Sequence, residues 1–123
     1  MAAQLSELNV GIGPFVVGPA VQRKLGLSGM SQIAIDANSF FDAEWAKQKG
    51  LYTKVFETIK ELDEAVKDFA ENLCHYNPKA MTEMKTMFWR GTEDWDQLLI
   101  QRAKISGRLV LSDFTKETLK RFK

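Results

Sequence analysis

Glu7 is the only ionisable side chain between Met1 and Gln22, and it is followed by Leu8, Val10 and the pair Gly11-x-Gly13. A carboxylate set against apolar, glycine-interrupted chain suits general acid or base work, giving a proton to water or an acidic carbon or taking one away. The same residue could instead cap a helix or face solvent. Downstream, Gly11, Gly13, Pro14, Gly18 and Pro19 break the apolar run LNVGIGPFVVGPAV over residues 8–21. Glycine leaves no side chain in the way, so such a segment can bring backbone N–H groups close to a ligand; a tight buried connection has the same composition.

The other chemically able residues lack companions. Cys74 and His75 are adjacent, but the chain has no second cysteine or histidine to complete a zinc set or a Cys-His-acid constellation. They are expected at a helix terminus or in the core, and no metal site is expected. Gly11-x-Gly13 lacks the strand–turn–helix spacing and later acidic residue of a dinucleotide fingerprint. Trp89 and Trp95 flank a helix break and read either as an exposed recognition patch or as packing between helices. Lys116, Lys120, Arg121 and Lys123 against Glu117 make a basic tail that could attract phosphate or lie solvated.

The elements that must position these residues are mostly helical. The run 8–21 reads as a structured loop, too broken for a long helix. Ser28 is a candidate cap for a helix with Met30, Ile33, Ala34 and Ala37 on its apolar face, leaving at Asn38-Ser39. A short helix beginning near Asp42 and containing Glu44, Trp45 and Ala46 stops at Gly50. LYTKVF, residues 51–56, alternates as a strand does. Thr58 and Glu61 form a capping-box pair before Ile59, Leu62, Val66, Phe69 and Leu73. Asn77-Pro78 opens the next helix, with Met81, Met84 and Phe88 on its buried side and Gly91 at its close. A third long helix starts after Thr92 behind Glu93, Asp94 and Asp96, passes through Leu99, Ala103 and Ile105, and weakens at Gly107. Ser112 or Thr115 introduces a last short helix bearing Phe114, Leu119 and Phe122. The fold class is therefore mostly α with one or two short strands.

The 123 residues carry 17 Lys and Arg against 16 Asp and Glu, a net charge of +1 with neutral His75, which gives no broad electrostatic case for nucleic acid. A chain of this length supports one modest core and no deep cleft between large lobes. No apolar run approaches bilayer length, so no membrane partner is expected. The single cysteine excludes an intrachain disulfide, and the opening MAAQLSE has neither a basic n-region nor an apolar h-region. The cytoplasm is the expected compartment.

Residues 6–26, SELNVGIGPFVVGPAVQRKLG, resemble a segment of the crotonase (enoyl-CoA hydratase/isomerase) family. The matching features are a carboxylate (Glu7), an apolar stretch, Gly11, a turn with Pro14, a second glycine turn at Gly18, Gln22-Arg23 and Gly26. DANSFFDAEWAKQKGLYTKVF resembles the family segment in which a helix ends at glycine (Gly50) and feeds a strand. Asp113, Glu117 and Phe122 resemble the terminal pattern, with Thr118 in place of the usual glycine. The resemblance covers nearly the whole chain.

It implies a carboxy-terminal part of the crotonase-like α/β spiral fold. Residues 1–56 would end the spiral core, and residues 57–123 would form the helical trimerisation region of a homo-trimer or hexamer. The amino-terminal half of family members, with its repeated ββα units, most of the CoA site and the backbone oxyanion hole, would lie outside these residues. The implied substrate is an acyl-CoA thioester, with coenzyme A as part of the substrate and no separate cofactor. Glu7 aligns with one of the two carboxylates that hydratases use on water. Phe15 stands where some isomerase and dehalogenase branches place Asp, which points toward hydratase. Pro14, Phe15 and Val16 are candidate acyl-pocket residues, and Phe122 and Lys123 candidate CoA contacts.

Overall fold

The computed structural model describes residues 1–122, so Lys123, one of the two candidate CoA contacts, lies outside the described residues. Two compact units divide the chain. One comprises Met1–Lys54 together with the chain from Gln97 on, and the other spans Val55–Asp96.

In the first unit a two-residue strand, β1 (Ala2–Ala3), leads into a single 3-10 turn, Glu7–Val10. That turn ends where Gly11 takes a left-handed conformation at φ 82°, which a glycine adopts without steric cost. Helix α1 (Gly18–Ile35) then begins inside the stretch read as loop. Pro19, in the first helical turn, has its φ already set for a helix and needs no N–H partner there. The loop therefore closes at Val17. α1 breaks at Gly26 (φ 70°, ψ 173°), a backbone region essentially confined to glycine. Ser28 sits within the second half of α1 rather than at its cap.

Leu25, Met30 and Ile33 on α1 form the buried cluster, with Ala3, Leu5, Val21, Phe41, Trp45 and Leu51 packed around it. Burying each of the three large side chains is worth about 2 kcal/mol. Strand β2 (Phe41–Asp42) pairs antiparallel with β1, Ala2 opposite Asp42 and Ala3 opposite Phe41. Helix α2 (Ala43–Gln48) follows, its first turn capped by Asp42 Oδ1, which accepts from the Trp45 N–H at 2.7 Å. The described chain is thus predominantly helical, with two short antiparallel strands.

LYTKVF is not one of those strands. The Leu51 and Tyr52 N–H groups both donate to the Ala46 carbonyl, at 2.8 and 3.1 Å. This folds the start of the segment back onto the end of α2, and alternation without an adjoining strand edge does not make a strand.

In the second unit, α3 (Ile59–Leu73) starts at a complete capping box: Glu61 N–H donates to Thr58 Oγ1, and Thr58 N–H donates to Glu61 Oε2. Helix α4 (Pro78–Phe88) is capped by Asn77 Oδ1, which accepts from the Lys79 and Ala80 N–H groups. The residues expected to be buried on α4 are open: Met84 is 51% and Phe88 66% exposed, and Met81 is only half-buried. A helix buries an apolar face only where another surface packs against it, and Met84 and Phe88 keep half or more of their surface in solvent. On α3, Ile59, Leu62, Val66, Phe69 and Leu73 are likewise between 37% and 78% exposed. Its other side is charged, with Lys60–Glu64 and Lys67–Glu71 pairs at 3.9 Å. Trp89 and Trp95 pack edge to face with ring centroids 5.8 Å apart across the turn after α4.

Helix α5 (Trp95–Val110) continues through Gly107, and Ser112 caps α6 (Asp113–Lys120). Gly107 lies inside a helix whose neighbouring residues propagate it, so the cost of one glycine is absorbed.

Candidate functional site

Glu7 is the first residue of the 3-10 turn. The turn is held by Asn9 N–H to Ser6 O (3.0 Å), Gly11 N–H to Leu8 O (3.1 Å) and Ile12 N–H to Glu7 O (3.0 Å). The Glu7 Oε2 atom is buried and has no hydrogen-bond partner among the described residues. A buried carboxylate oxygen without a protein donor costs folding free energy, so its retention calls for an explanation. One explanation is a hydrogen-bonding ligand, water or substrate, that reaches that oxygen.

The turn is anchored from two sides by side chains. Gln4 Nε2 and Asn9 Nδ2 both donate to the Ala37 carbonyl, at 2.8 and 3.0 Å. Ala37 is 4% exposed and follows the end of α1. Opposite Gly11 lies α6: a Cβ on Gly11 would come within 2.6 Å of both Phe114 Cδ1 and Thr115 Oγ1. Thr115 is fully buried, and its hydroxyl lies 3.2 Å from Ser112 Oγ.

Phe15 folds over Gly13, whose missing Cβ would sit 2.7 Å from the Phe15 ring, and the Phe15 N–H donates to the Gly13 carbonyl at 2.8 Å. Pro14 and Phe15 are half-buried, while Val16 is 47% exposed at the mouth of α1. Phe122 is 74% exposed. The part of α6 that meets the glutamate-bearing turn is therefore the Phe114–Thr115 end. Neither type nor spacing singles out Gln4 or Asn9 in the sequence, and Thr115 stands out there only as a candidate helix cap. Polarity within an otherwise apolar neighbourhood is the available sign for Gln4 and Asn9.

Cys74 is exposed at the end of α3, and His75 Nδ1 lies 2.7 Å from the Glu71 carbonyl, so this pair occupies a helix terminus. Among the described residues no three His, Cys, Asp or Glu side chains gather as a metal ion would require. No helix there is long and apolar enough to cross a membrane.

No protein-family model and no curated protein matches the chain. Among solved structures it is similar to an enoyl-CoA hydratase from Mycobacterium avium, with a TM-score of 0.85 and 24% identity. The match covers 98% of this chain and 46% of that one. The fold is accordingly crotonase-like, and the chain spans about half the length of the hydratase it matches.

Proposed function

We propose that the protein is the carboxy-terminal part of an enzyme acting on acyl-CoA thioesters, of the enoyl-CoA hydratase/isomerase kind, with Glu7 as general acid or base. The observation that carries this reading is the buried Oε2 of Glu7, without a hydrogen-bond partner among the described residues, at the head of a turn tied to the Ala37 carbonyl, in a chain whose fold is similar to that of a hydratase. A carboxylate so placed can hold a water for attack on the β-carbon of an enoyl thioester and pass a proton to the α-carbon. The negative charge that develops on the thioester oxygen needs backbone N–H donors. In this proposal those donors, and a second carboxylate, come from residues outside the 123. In the same proposal Pro14, Phe15 and Val16 wall the acyl group, and Phe122 and Lys123 are the candidate CoA contacts. Residues 1–56 close the spiral core, and residues 57–123 carry the contacts of a trimer or hexamer.

A second reading, a helical assembly module without catalysis, is favoured by one observation. The apolar faces of α3 and α4 are open to solvent in this chain. Steady-state hydration of crotonyl-CoA by the full-length natural polypeptide separates the two. Turnover supports the enzyme; a folded, self-associating polypeptide without turnover leaves the assembly module.

A further inference from the structure

The glutamate-bearing turn is too short to hold a catalytic group by its own backbone. It is four residues of 3-10 helix, a geometry with weaker hydrogen bonds than an α-helix and no length over which to average out motion. Proton transfer in a transition state demands a donor–acceptor distance held to within a few tenths of an ångström. Something besides the turn must supply that precision.

Gln4 precedes Glu7 by three positions and Asn9 follows it by two, so the pair brackets the glutamate. Their amide groups converge on one oxygen, the Ala37 carbonyl, at 2.8 and 3.0 Å. A carbonyl oxygen has two lone pairs, and both are used here, one by each donor. The acceptor is firmly based. Ala37 is 4% exposed, Ile33 one turn before it is 2% exposed, and the Ser39 N–H to Asp36 O bond (3.1 Å) closes the turn that presents the carbonyl. These contacts span 33 and 28 residues of chain, so they are tertiary anchors and no by-product of local helix formation.

We infer that Gln4 and Asn9 are positioning residues for Glu7: by sharing the Ala37 carbonyl they fix the turn on both sides of the glutamate and so fix where its carboxylate meets the reacting atoms. This rests on the proposed catalytic role of Glu7. Both amide groups are committed to the Ala37 carbonyl, so in this inference substrate binding survives their loss while the chemical step slows. Because either donor alone still ties the turn to Ala37, the two losses reinforce each other.

The test measures kcat and KM for crotonyl-CoA hydration by the full-length natural polypeptide. The variants are Gln4→Ala, Asn9→Ala, the two together, and each of these combined with Glu7→Gln. Each single change is expected to lower kcat about threefold and the double change more than tenfold, with KM within about twofold, because a misplaced catalytic group loses rate steeply with distance. In the Glu7→Gln background the same changes leave the residual rate unaltered, a result that a merely structural pair of hydrogen bonds would not give. Asn9→His, which can place a ring N–H where the amide N–H was, retains most of kcat. If the double variant does not fold, Asn9→Ala against Asn9→His reads the same contrast. Glu7→Gln inactive with Gln4→Ala/Asn9→Ala folded and fully active overturns this inference alone; equal loss of residual rate in the Glu7→Gln background also overturns it. Glu7→Gln fully active removes the catalytic reading, and this inference with it.

Discussion

Gly11→Ala should destabilise the first unit by about 2–5 kcal/mol, and the structure supplies both parts of that figure. The backbone at Gly11 has φ 82°, and an L-residue held in the left-handed region costs about 1–2 kcal/mol. The added methyl would also stand 2.6 Å from Thr115 Oγ1 and 2.6 Å from Phe114 Cδ1. Phe114 is 66% exposed and its ring can swing aside, but Thr115 is fully buried and cannot. α6 must then shift off the turn, an overpacking cost of about 1–3 kcal/mol. Gly107→Ala is the matched control in the same unit: it lies within α5, nothing stands within 4 Å of where its Cβ would be, and its backbone is not left-handed. There the same change should stabilise by about 0.8 kcal/mol, the helix-propensity difference. Urea denaturation followed by circular dichroism, with equal m-values required, reads both. Gly11→Ala at or above wild-type stability would refute the packing of α6 on the turn; Gly107→Ala strongly destabilising would refute the described course of α5.

Thr58→Ala removes one side of the capping box on α3 and should cost about 1 kcal/mol, seen as a lower denaturation midpoint with reduced helical signal. Val66→Asp with Phe69→Asp places charge on the open face of α3, where these residues are 58% and 63% exposed. If that face mediates self-association, sedimentation will show wild type as a concentration-dependent oligomer and the double variant as a smaller species; a monomeric wild type would contradict it. The 123 residues alone, which span 46% of the length of the hydratase they match, should bind acyl-CoA weakly and hydrate crotonyl-CoA at no rate above background. Robust turnover by them would contradict the proposal that the oxyanion donors lie elsewhere.

What can be read from the sequence is local. Thr58 with Glu61, Asn77 with Pro78, and Asp42 ahead of α2 each satisfy N–H groups two or three residues away, so a few adjacent letters determine them. Burial is less legible, because Met84 and Phe88 have the types and spacing of a core face and yet are 51% and 66% exposed. The places of the strands are hidden because each is two residues long and one is Ala2–Ala3, whose side chains carry little strand preference. The alternating segment 51–56 misleads for the converse reason, pattern without a partner edge. At the candidate site Glu7 stands out as the lone ionisable side chain of its stretch. Its anchoring does not, since Gln4 and Asn9 reach Ala37 across 33 and 28 residues and no periodicity encodes such a contact.

Proton transfer by Glu7 is the central claim, and Glu7→Gln tests it with the least disturbance: size is kept and the buried Oε2 position stays filled, while the ionisable group is gone. The deciding measurement is the ratio of kcat for hydration of short enoyl-CoA substrates by the full-length polypeptide and its Glu7→Gln variant, with unfolding midpoints compared alongside. General acid–base participation is typically worth about 10² to 10⁴ in rate, so kcat should fall at least about a hundredfold with the fold unchanged. A loss below about threefold in an otherwise active enzyme would contradict the assignment and leave Glu7 a structural carboxylate.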